Sequence, residues 1–397
     1  MKISQTAQLC GLSPMRKFHP FAVEAEKKGR NIYHLNIGQP DIETPPAYFE
    51  AIREFHQSVL EYAPSPGIPD LIEAIRNYYE KLGIHYAASD ILITTGGSEA
   101  LLILMQCILD PGCEVLIPEP FYPNYNTFIR AASGVIRPIP TSPEEGYHYA
   151  DRAKIEALIT DKTRAIMVTN PGNPTGVTLT PEEMRMLADV AKEHNLYVIG
   201  DEVYREFYYN GEGLHSMAEF DDIAENVCII DSVSKRFSAC GARIGCLISK
   251  NKELISQAIK FCQARLSVAT LDQIASAALY SVDESYFARV REEYKLRRDT
   301  VMRKLKEIPG VVVEEPRGAF YLMAKLPVDD ADNFQRWLLT DFEDHGDTVM
   351  FAPGAPFYAT PGKGADEIRI AYVLNQTDLE RAMDLLALGI QAYNASH

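Results

Sequence analysis

A lysine flanked by small hydroxyl residues is the feature of this sequence that most directly indicates chemistry. Lys235 follows Ser232 and Ser234 after an apolar run at 227–230, and Arg243 comes a few positions later. A lysine amine held out of bulk water can form a Schiff base with an aldehyde. Hydroxyl groups beside an arginine fork suit a phosphate. The segment therefore predicts a covalent lysine site for a phosphorylated cofactor.

Six short apolar runs rich in β-branched residues predict strands that are buried on both faces. They lie at residues 91–94, 114–117, 164–168, 196–199, 227–230 and 245–248. Helical patterns lie between them, and the clearest begins at Thr180, which can cap the helix. Pro181 suits the first helical position and Glu183 completes a capping box. This alternation predicts an α/β fold with a mostly parallel sheet covered by helices.

From about residue 282 onward the pattern changes to long charged helices and separate strands. Helices are predicted at 284–306 and near 378–393, and strands at 311–314, 318–326 and 368–373. Another strand-like run, at 32–37, precedes the first helix of the larger part. We therefore expect an N-terminal segment, 1–45, that packs with a small C-terminal α+β domain, 286–397. A large cofactor-binding domain is expected over 46–285.

Composition and charge exclude several classes of protein. A chain of 397 residues that is 46% hydrophobic can bury a substantial core. Its net charge of −16 repels phosphate backbones, so we expect no nucleic-acid partner. Seven cysteines without a C-x-x-C pair indicate reduced thiols, and no metal site is expected. Residues 1–17 lack a signal-peptide core and no run approaches roughly 18 apolar residues, which predicts a soluble cytoplasmic protein without a membrane partner.

Polar or small residues follow five of the predicted strands, at the carboxyl ends where ligands gather in open α/β sheets. Gly96 and Gly97 open a helix whose free amides would hold a phosphate. Tyr122 follows the next run and offers a ring that can stack on a planar ligand. The segments 170–176 and 201–204 follow two more runs, ahead of the lysine segment. Because these groups are complementary, we expect them to form one site.

Together these motifs resemble those of the class I/II aminotransferases, pyridoxal-phosphate enzymes of the fold-type-I group. The most specific matches are N-P-x-N-P-T-G at 170–176, D-E-x-Y at 201–204 and S-x-S-K-x₇-R-x-G at 232–245. The resemblance runs from about Asn36 to Arg369 and is strongest to bacterial aspartate aminotransferases. It implies a mostly parallel seven-stranded sheet in the large domain, pyridoxal 5'-phosphate as cofactor, and a homodimer with shared active sites.

The resemblance also implies a role for each motif residue. It makes Lys235 the catalytic Schiff-base lysine and puts Asp201 on the pyridinium nitrogen. Tyr204 and Asn173 would meet the phenolic oxygen, and Tyr122 would stack on the ring. The phosphate would be surrounded by Gly97, Ser98, Glu99, Ser232 and Arg243, with Tyr62 reaching it from the neighbouring subunit.

Substrate binding is implied at Gly38, Asn173 and Arg369. An arginine binds a carboxylate through two parallel hydrogen bonds, so Arg369 is the expected anchor of the α-carboxylate. The alternative is a structural salt bridge with Glu367 on the same strand face. A dicarboxylate would need a second cation, for which Arg265 is one candidate and a helix-surface arginine the alternative. We expect aspartate with 2-oxoglutarate, with aromatic amino acids or alanine as alternatives.

Other functions fit parts of the same sequence. Residues 232–235 also spell the S-x-x-K of penicillin-recognising hydrolases. The S-D-N element of those enzymes is missing, because Ser89 and Asp90 continue into Ile91. A β-eliminating lyase or a cyclising synthase would keep the cofactor and change the reaction. A pyridoxal-phosphate sensor fused to a DNA-binding regulator is disfavoured, because no basic helix-turn-helix pattern precedes Asn36.

Overall fold

The computed structural model describes residues 1–11, 13–209, 211, 213 and 215–396. Its strands are β1 Asn31–His34, β2 Ile91–Thr95, β3 Glu114–Pro118, β4 Val135–Ile139, β5 Thr163–Thr169, β6 Tyr197–Asp201, β7 Val227–Ser232, β8 Ile244–Ile248, β9 Val312–Val313, β10 Tyr321–Lys325, β11 Asp347–Met350, β12 Ala352–Pro353 and β13 Glu367–Ala371. Its α-helices are α1 Gln5–Leu9, α2 His19–Lys27, α3 Pro46–Arg53, α4 Pro69–Lys81, α5 Gly96–Ile108, α6 Asn124–Ala131, α7 Arg152–Glu156, α8 Pro181–Glu193, α9 Val233–Arg236, α10 Lys252–Ala264, α11 Thr270–Leu279, α12 Glu284–Lys306, α13 Ala331–Thr340 and α14 Gln376–Ser396.

The main sheet joins seven strands of the described residues in the order β2-β8-β7-β6-β5-β3-β4. Strand β8 runs antiparallel to β2 and β7, and the other neighbouring strands are parallel. Every residue of β7 and β8 is buried. Continuous apolar runs are needed here because both faces of the sheet are covered. The predicted α/β class and the mostly parallel seven-stranded sheet are confirmed.

One strand of this sheet lies outside the six predicted runs. Strand β4 contains Arg137 and Pro138, and most of its residues are only partly buried. It lies at the edge of the sheet, where its one neighbour in the strand order is β3. A proline and a charged side chain are tolerated on an edge strand, and this removes the apolar signal on which the prediction relied.

The N-terminal strand and the C-terminal part of the chain are connected by backbone pairing. The run predicted at 32–37 forms the shorter β1, which pairs in parallel with β11, Asn31 lying opposite Asp347. Strands β12, β13, β10 and β9 form an antiparallel sheet in that order. Helix α12 has the predicted bounds, whereas β9 and β10 are shorter than predicted. The short strands β11 and β12, which share the apolar run 349–352, were not predicted.

The carboxyl ends of neighbouring strands in this sheet bring the motif residues together. Asp201 ends β6 opposite Thr169 at the end of β5, and β7 ends at Ser232 opposite Gly245. Gly245 also lies opposite Thr94, just before the glycine turn that opens α5. Segments far apart in sequence therefore begin their loops within a few strand spacings of each other.

Two further properties concern the part of the chain that the structure describes. None of its helices combines the length and the apolar composition needed to span a bilayer. It contains no group of three or more His, Cys, Asp or Glu side chains arranged to hold a metal ion.

Candidate active site

A cavity of about 1220 Å³ lies at the ends of strands β6 and β7, where Asp201 and Ser232 line it. Most of the residues predicted from the sequence line it: Gly38, Gly97, Ser98, Tyr122, Asn173, Asp201, Tyr204, Ser232, Lys235, Arg243 and Arg369. Glu99 and Tyr62 do not line it in this chain. Residues 13–17 also line the cavity and were not predicted to take part.

Lys235 lies on α9, a single helical turn directly after β7. Ser232 starts this turn, accepting a hydrogen bond from the Ser234 amide at 3.1 Å and donating one to the Ile244 carbonyl at 2.9 Å. Lys235 Nζ donates to the Gly38 carbonyl at 2.8 Å. The strand and its capped turn therefore hold the amine inside the cavity.

A buried ion pair supports this turn from behind. The guanidinium of Arg236 contacts Asp231, and both side chains are almost completely buried. Asp231 also accepts hydrogen bonds from the Ser232 amide at 2.7 Å and from Tyr79 Oη at 3.0 Å. The residues on either side of Lys235 are thus fixed by contacts that do not involve its amine.

Asp201 is a buried carboxylate, 6% exposed, at the end of β6. Burial raises its pKa to about 6, although the hydrogen bond from Tyr125 opposes that shift. Tyr125 Oη donates to Asp201 Oδ2 at 2.6 Å. Tyr125 was not predicted, because its segment shows no sign that it meets a carboxylate at the end of another strand. Near pH 7 the site therefore holds a mostly ionised carboxylate that would gain from a cationic partner.

A chain of hydrogen bonds links three of the predicted residues. Tyr204 Oη accepts from Asn173 Nδ2 at 3.3 Å, and Asn173 Oδ1 accepts from Arg369 Nη1 at 3.1 Å. The hydroxyls of Tyr204 and Tyr321 are 3.0 Å apart, and burial raises the pKa of Tyr204. Tyr321 was missed because a strand pattern does not reveal which side chains meet across the cavity. The Tyr204 phenol therefore remains a neutral hydrogen-bonding group near pH 7.

Arg369 is 3% exposed, and burial lowers its pKa. Its Nη2 donates to the Asn36 carbonyl at 2.6 Å and lies 3.3 Å from Met15 Sδ. Among the described residues its Nε has no hydrogen-bond partner. Glu367, the alternative partner considered above, instead accepts hydrogen bonds from two tyrosines, at 2.9 and 2.7 Å. A buried guanidinium with an unsatisfied N–H fits a carboxylate ligand.

Gly38 leaves no room for a side chain. A Cβ atom there would lie 1.7 Å from Tyr321 Oη. Because the backbone comes so close, the Gly38 carbonyl accepts a hydrogen bond from Lys235 Nζ and also lies 3.4 Å from Tyr321 Oη. Any larger residue would have to displace Tyr321 or move this carbonyl away from the lysine.

The amino end of α5 forms an anion cradle with Arg243. Gly96 has φ +70°, and a Cβ atom there would lie 2.5 Å from Arg243 Nη2. Gly97 and Ser98 occupy the first turn of the helix. Free amides and the positive end of the helix dipole lie there beside a guanidinium. This geometry suits a phosphate group.

Glu99 and Arg265 are engaged with each other. Glu99 Oε2 accepts from the Thr95 amide at 2.6 Å, and Glu99 Oε1 lies 3.1 Å from Arg265 Nε. Arg265 Nη2 also donates to the Ile93 carbonyl at 3.0 Å. The carboxylate is therefore turned toward the helix start, and Arg265 is occupied within its own chain. These contacts favour the structural alternative for Arg265.

The residues present fit pyridoxal phosphate. A cavity amine, a buried carboxylate, neutral phenol donors and an anion cradle are the groups that its aldehyde, ring nitrogen, phenolic oxygen and phosphate require. Tyr122 lines the same space, its hydroxyl accepting from Asn124 Nδ2 at 2.7 Å. Tyr62 is 80% exposed in this chain. Its contact with the phosphate in a neighbouring subunit stays a prediction.

Known proteins have a similar sequence and the same fold. Residues 30–386 match the family model "Aminotransferase class I and II". A probable aspartate/prephenate aminotransferase of Thermus aquaticus is 31% identical over 378 residues, covering 93% of this chain and 94% of that protein. The structure of a Thermus thermophilus aspartate aminotransferase single mutant has a TM-score of 0.89 at 30% identity, covering 98% of this chain and 100% of that one. The alanine aminotransferase of Pyrococcus furiosus has the same TM-score, identity and coverage.

The fold and these relatives define a fold-type-I pyridoxal-phosphate enzyme that transfers amino groups. The chain belongs to the class I and II aminotransferase family. Relatives of equal similarity carry the names of different amino acids, so similarity does not identify the amino donor.

Proposed function

We propose that this protein moves the α-amino group of aspartate to 2-oxoglutarate, using pyridoxal phosphate held at Lys235. One observation carries the proposal. Lys235 Nζ binds the carbonyl of Gly38, and Arg369 Nη2 binds the carbonyl of Asn36. Lys235 and Arg369 therefore both contact the three-residue segment 36–38. An amine and a carboxylate anchor that share one short segment suit an α-amino acid, whose two groups share one carbon.

The residues that would hold the cofactor surround the amine. Asp201 would keep a positive charge on the ring nitrogen, and Tyr204 with Asn173 would meet the phenolic oxygen. Tyr122 would stack on the ring. The phosphate would be held by Gly97, Ser98, Glu99 through its amide, Ser232 and Arg243, with Tyr62 of a second subunit. When bound, the cofactor supplies an aldehyde and an electron-withdrawing ring that stabilises negative charge at the substrate Cα.

The protein's own groups perform the remaining tasks. Arg369 binds the α-carboxylate through two parallel hydrogen bonds, which orients the substrate Cα. Lys235 Nζ removes the proton from that carbon.

The serine hydrolase alternative receives no support from the hydrogen bonds. A serine nucleophile and its lysine base should be within hydrogen-bond reach of each other. Ser232 Oγ instead donates to the Ile244 carbonyl and lies 2.8 Å from Ser234 Oγ, while Lys235 Nζ donates to the Gly38 carbonyl.

An aromatic amino acid is the second candidate donor. The cavity wall includes the apolar side chains of Leu101 and Phe128 on α5 and α6. Such a surface favours a bulky apolar substrate side chain over a small one. Alanine remains an alternative donor, supported by the similarity to the alanine aminotransferase of Pyrococcus furiosus.

We propose a homodimer with shared active sites, working in the cytoplasm. Tyr62 is 80% exposed and follows Val59 and Leu60, which are 61% and 59% exposed. Exposed apolar residues beside a predicted site residue favour an interface. The division into 1–45, 46–285 and 286–397 is part of the same proposal, and the β1–β11 pairing supports it.

A panel of amino donors tests the function. Each amino acid is mixed with the cofactor-loaded protein, and the visible absorbance of the cofactor is followed through a single half-reaction. Aspartate should convert the cofactor to its amino form, and 2-oxoglutarate should reverse the change with release of glutamate. A response to phenylalanine or alanine, without one to aspartate, would transfer the assignment to that donor class. No response to any donor would contradict the proposal.

A further inference from the structure

We propose that Arg16 binds the distal carboxylate of a dicarboxylic substrate in this cavity. The inference rests on the proposed function, because both aspartate and 2-oxoglutarate carry a second carboxylate. That group must be met by a cation if it is taken from water, since an unpaired buried charge is costly.

The other cationic side chains of the cavity already have partners. Lys235 bonds to the Gly38 carbonyl, and Arg243 Nη1 donates to the Cys240 carbonyl at 3.1 Å. Lys17 Nζ lies 2.9 Å from Asp332 Oδ1. The remaining lining cations are Arg16 and Arg369. Arg369 is the expected partner of the α-carboxylate, so it cannot also serve the distal one.

Arg16 is exposed, and among the described residues its side chain has neither an ion-pair nor a hydrogen-bond partner. It ends the short 3₁₀ helix Pro14–Arg16 and lines the cavity. A guanidinium without a competing partner loses no existing contact when it binds an anion. Arg265 differs in this respect, because Glu99 and the Ile93 carbonyl already engage it and it does not line the cavity.

The position of Arg16 relative to Arg369 supports this role. The preceding residue, Met15, touches Arg369, its Sδ lying 3.3 Å from Nη2. The Met15 carbonyl accepts from Asn36 Nδ2 at 3.4 Å, which ties this segment to the one that Arg369 also contacts. Arg16 is therefore the next residue along the chain from one that touches the α-carboxylate anchor. Its long side chain can reach a carboxylate two or three carbons away.

The part of the cavity wall that α5 and α6 supply through Leu101, Asn124 and Phe128 carries no charge. Leu101 and Phe128 are apolar, and Asn124 is neutral. A distal carboxylate in this cavity would therefore depend on Arg16. An apolar substrate side chain would pack against the wall and would not need the guanidinium.

The variant Arg16→Gln tests the proposal in the cofactor-loaded protein. We expect kcat/KM for aspartate and for 2-oxoglutarate to fall about 10- to 100-fold, mainly through KM, because a charge-assisted hydrogen bond is lost. Phenylalanine and alanine should change less than about twofold. Arg16→Lys should recover part of the loss, and added salt should reduce the wild-type advantage. The matched control is Lys28→Gln, which removes an exposed charge away from the cavity and should have no selective effect.

The outcomes separate this inference from the proposed function. A wild-type enzyme that accepts dicarboxylates, together with an unchanged Arg16→Gln, would overturn the inference alone. So would an equal loss toward all donors, or a selective loss in Lys17→Gln instead. A wild-type enzyme that turns over only other amino acids would overturn the dicarboxylate assignment and the inference together.

Discussion

The floor of the cavity and its mouth are built differently. At the floor, Asp201 and Ser232 end paired strands of the central sheet and are 6% and 5% exposed. At the mouth, residues 13–17 form a single 3₁₀ turn, and Arg16 and Lys17 are exposed. A rigid sheet can hold groups in one geometry, whereas a short exposed turn can adjust to its ligand. The contrast indicates that the floor determines the reaction and the mouth selects among substrates.

Charge follows the same division. Behind the floor, the Arg236–Asp231 pair is almost completely buried. At the mouth Lys17 pairs with Asp332 with nearly half of the lysine side chain exposed. Breaking a buried pair leaves an uncompensated charge, whereas an exposed pair contributes little. Changes at the floor should therefore affect turnover or stability, and changes at the mouth should affect substrate preference.

The largest effect is expected from Lys235→Ala, a substitution at the floor of the cavity. We expect kcat to fall by about 10⁴-fold or more, because the proton-transferring amine is gone. The protein should stay folded, since the pair behind Lys235 is untouched. Turnover and the circular dichroism melting curve measure the two effects. The control Lys250→Ala removes a lysine whose partner, Asp221, is 91% exposed, and its activity should be normal. Turnover within about tenfold of wild type would exclude the assigned role.

The variant Arg236→Met tests whether the buried ion pair behind Lys235 contributes to the free energy of unfolding. We expect a loss of about 3–5 kcal/mol in unfolding free energy, because Asp231 would stay buried without its cation. The matched surface change, Arg303→Met, removes the partner of Glu380, and both of those side chains are about half exposed. It should cost at most about 1 kcal/mol. Urea unfolding of both variants measures the difference. Equal losses would show that burial does not distinguish the two pairs.

The pH dependence of stability tests the environment of Asp201. Its pKa is raised from 3.8 to about 6 in the folded protein, chiefly by burial. The contribution to stability is fully present below the ordinary pKa of 3.8 and is lost as pH rises through about 6. The loss is about 3 kcal/mol, since each tenfold change in proton affinity is worth about 1.4 kcal/mol.

Asp201→Asn cannot ionise, so the stability of the cofactor-free wild type relative to this variant should decline between pH 4 and about 6. Denaturant unfolding of both proteins across this range measures it. Parallel stability profiles would contradict the assigned pKa.

The smallest effect is expected from Arg369→Lys, which keeps the charge and loses the planar fork. We predict a decrease of about 10- to 100-fold in kcat/KM for every α-amino acid, through KM. Steady-state kinetics with aspartate, alanine and phenylalanine measure it. If only one donor class were affected, Arg369 would belong to the side-chain pocket, and the boundary between floor and mouth would have to move.

Much of the floor could be predicted because its signals are local. The S-x-S-K motif keeps Lys235 within one turn of Ser232, and the capping box at Thr180 joins residues three positions apart. Six of the seven strands of the main sheet were recognisable because burial on both faces requires unbroken apolar runs. Strand β4 was missed because Pro138 and Arg137 are tolerated at a sheet edge.

The contacts that were missed join residues far apart along the chain. Tyr125 reaches Asp201, Tyr321 reaches Tyr204, and Met15 touches Arg369. No periodicity in a single segment records which strand lies beside which, or which side chains face each other across a cavity. These pairs could not be read from pattern alone.

The amino-acid order alone specified a lysine between hydroxyls, an arginine shortly after it, and glycines where a helix begins, because each of these depends on neighbours in the chain. Which carboxylate is buried, which arginine keeps an unsatisfied N–H, and which cation at the entrance is free were decided by tertiary packing. The reason is physical: desolvation and pairing depend on the atoms that surround a group in space, and distant segments supply most of those atoms.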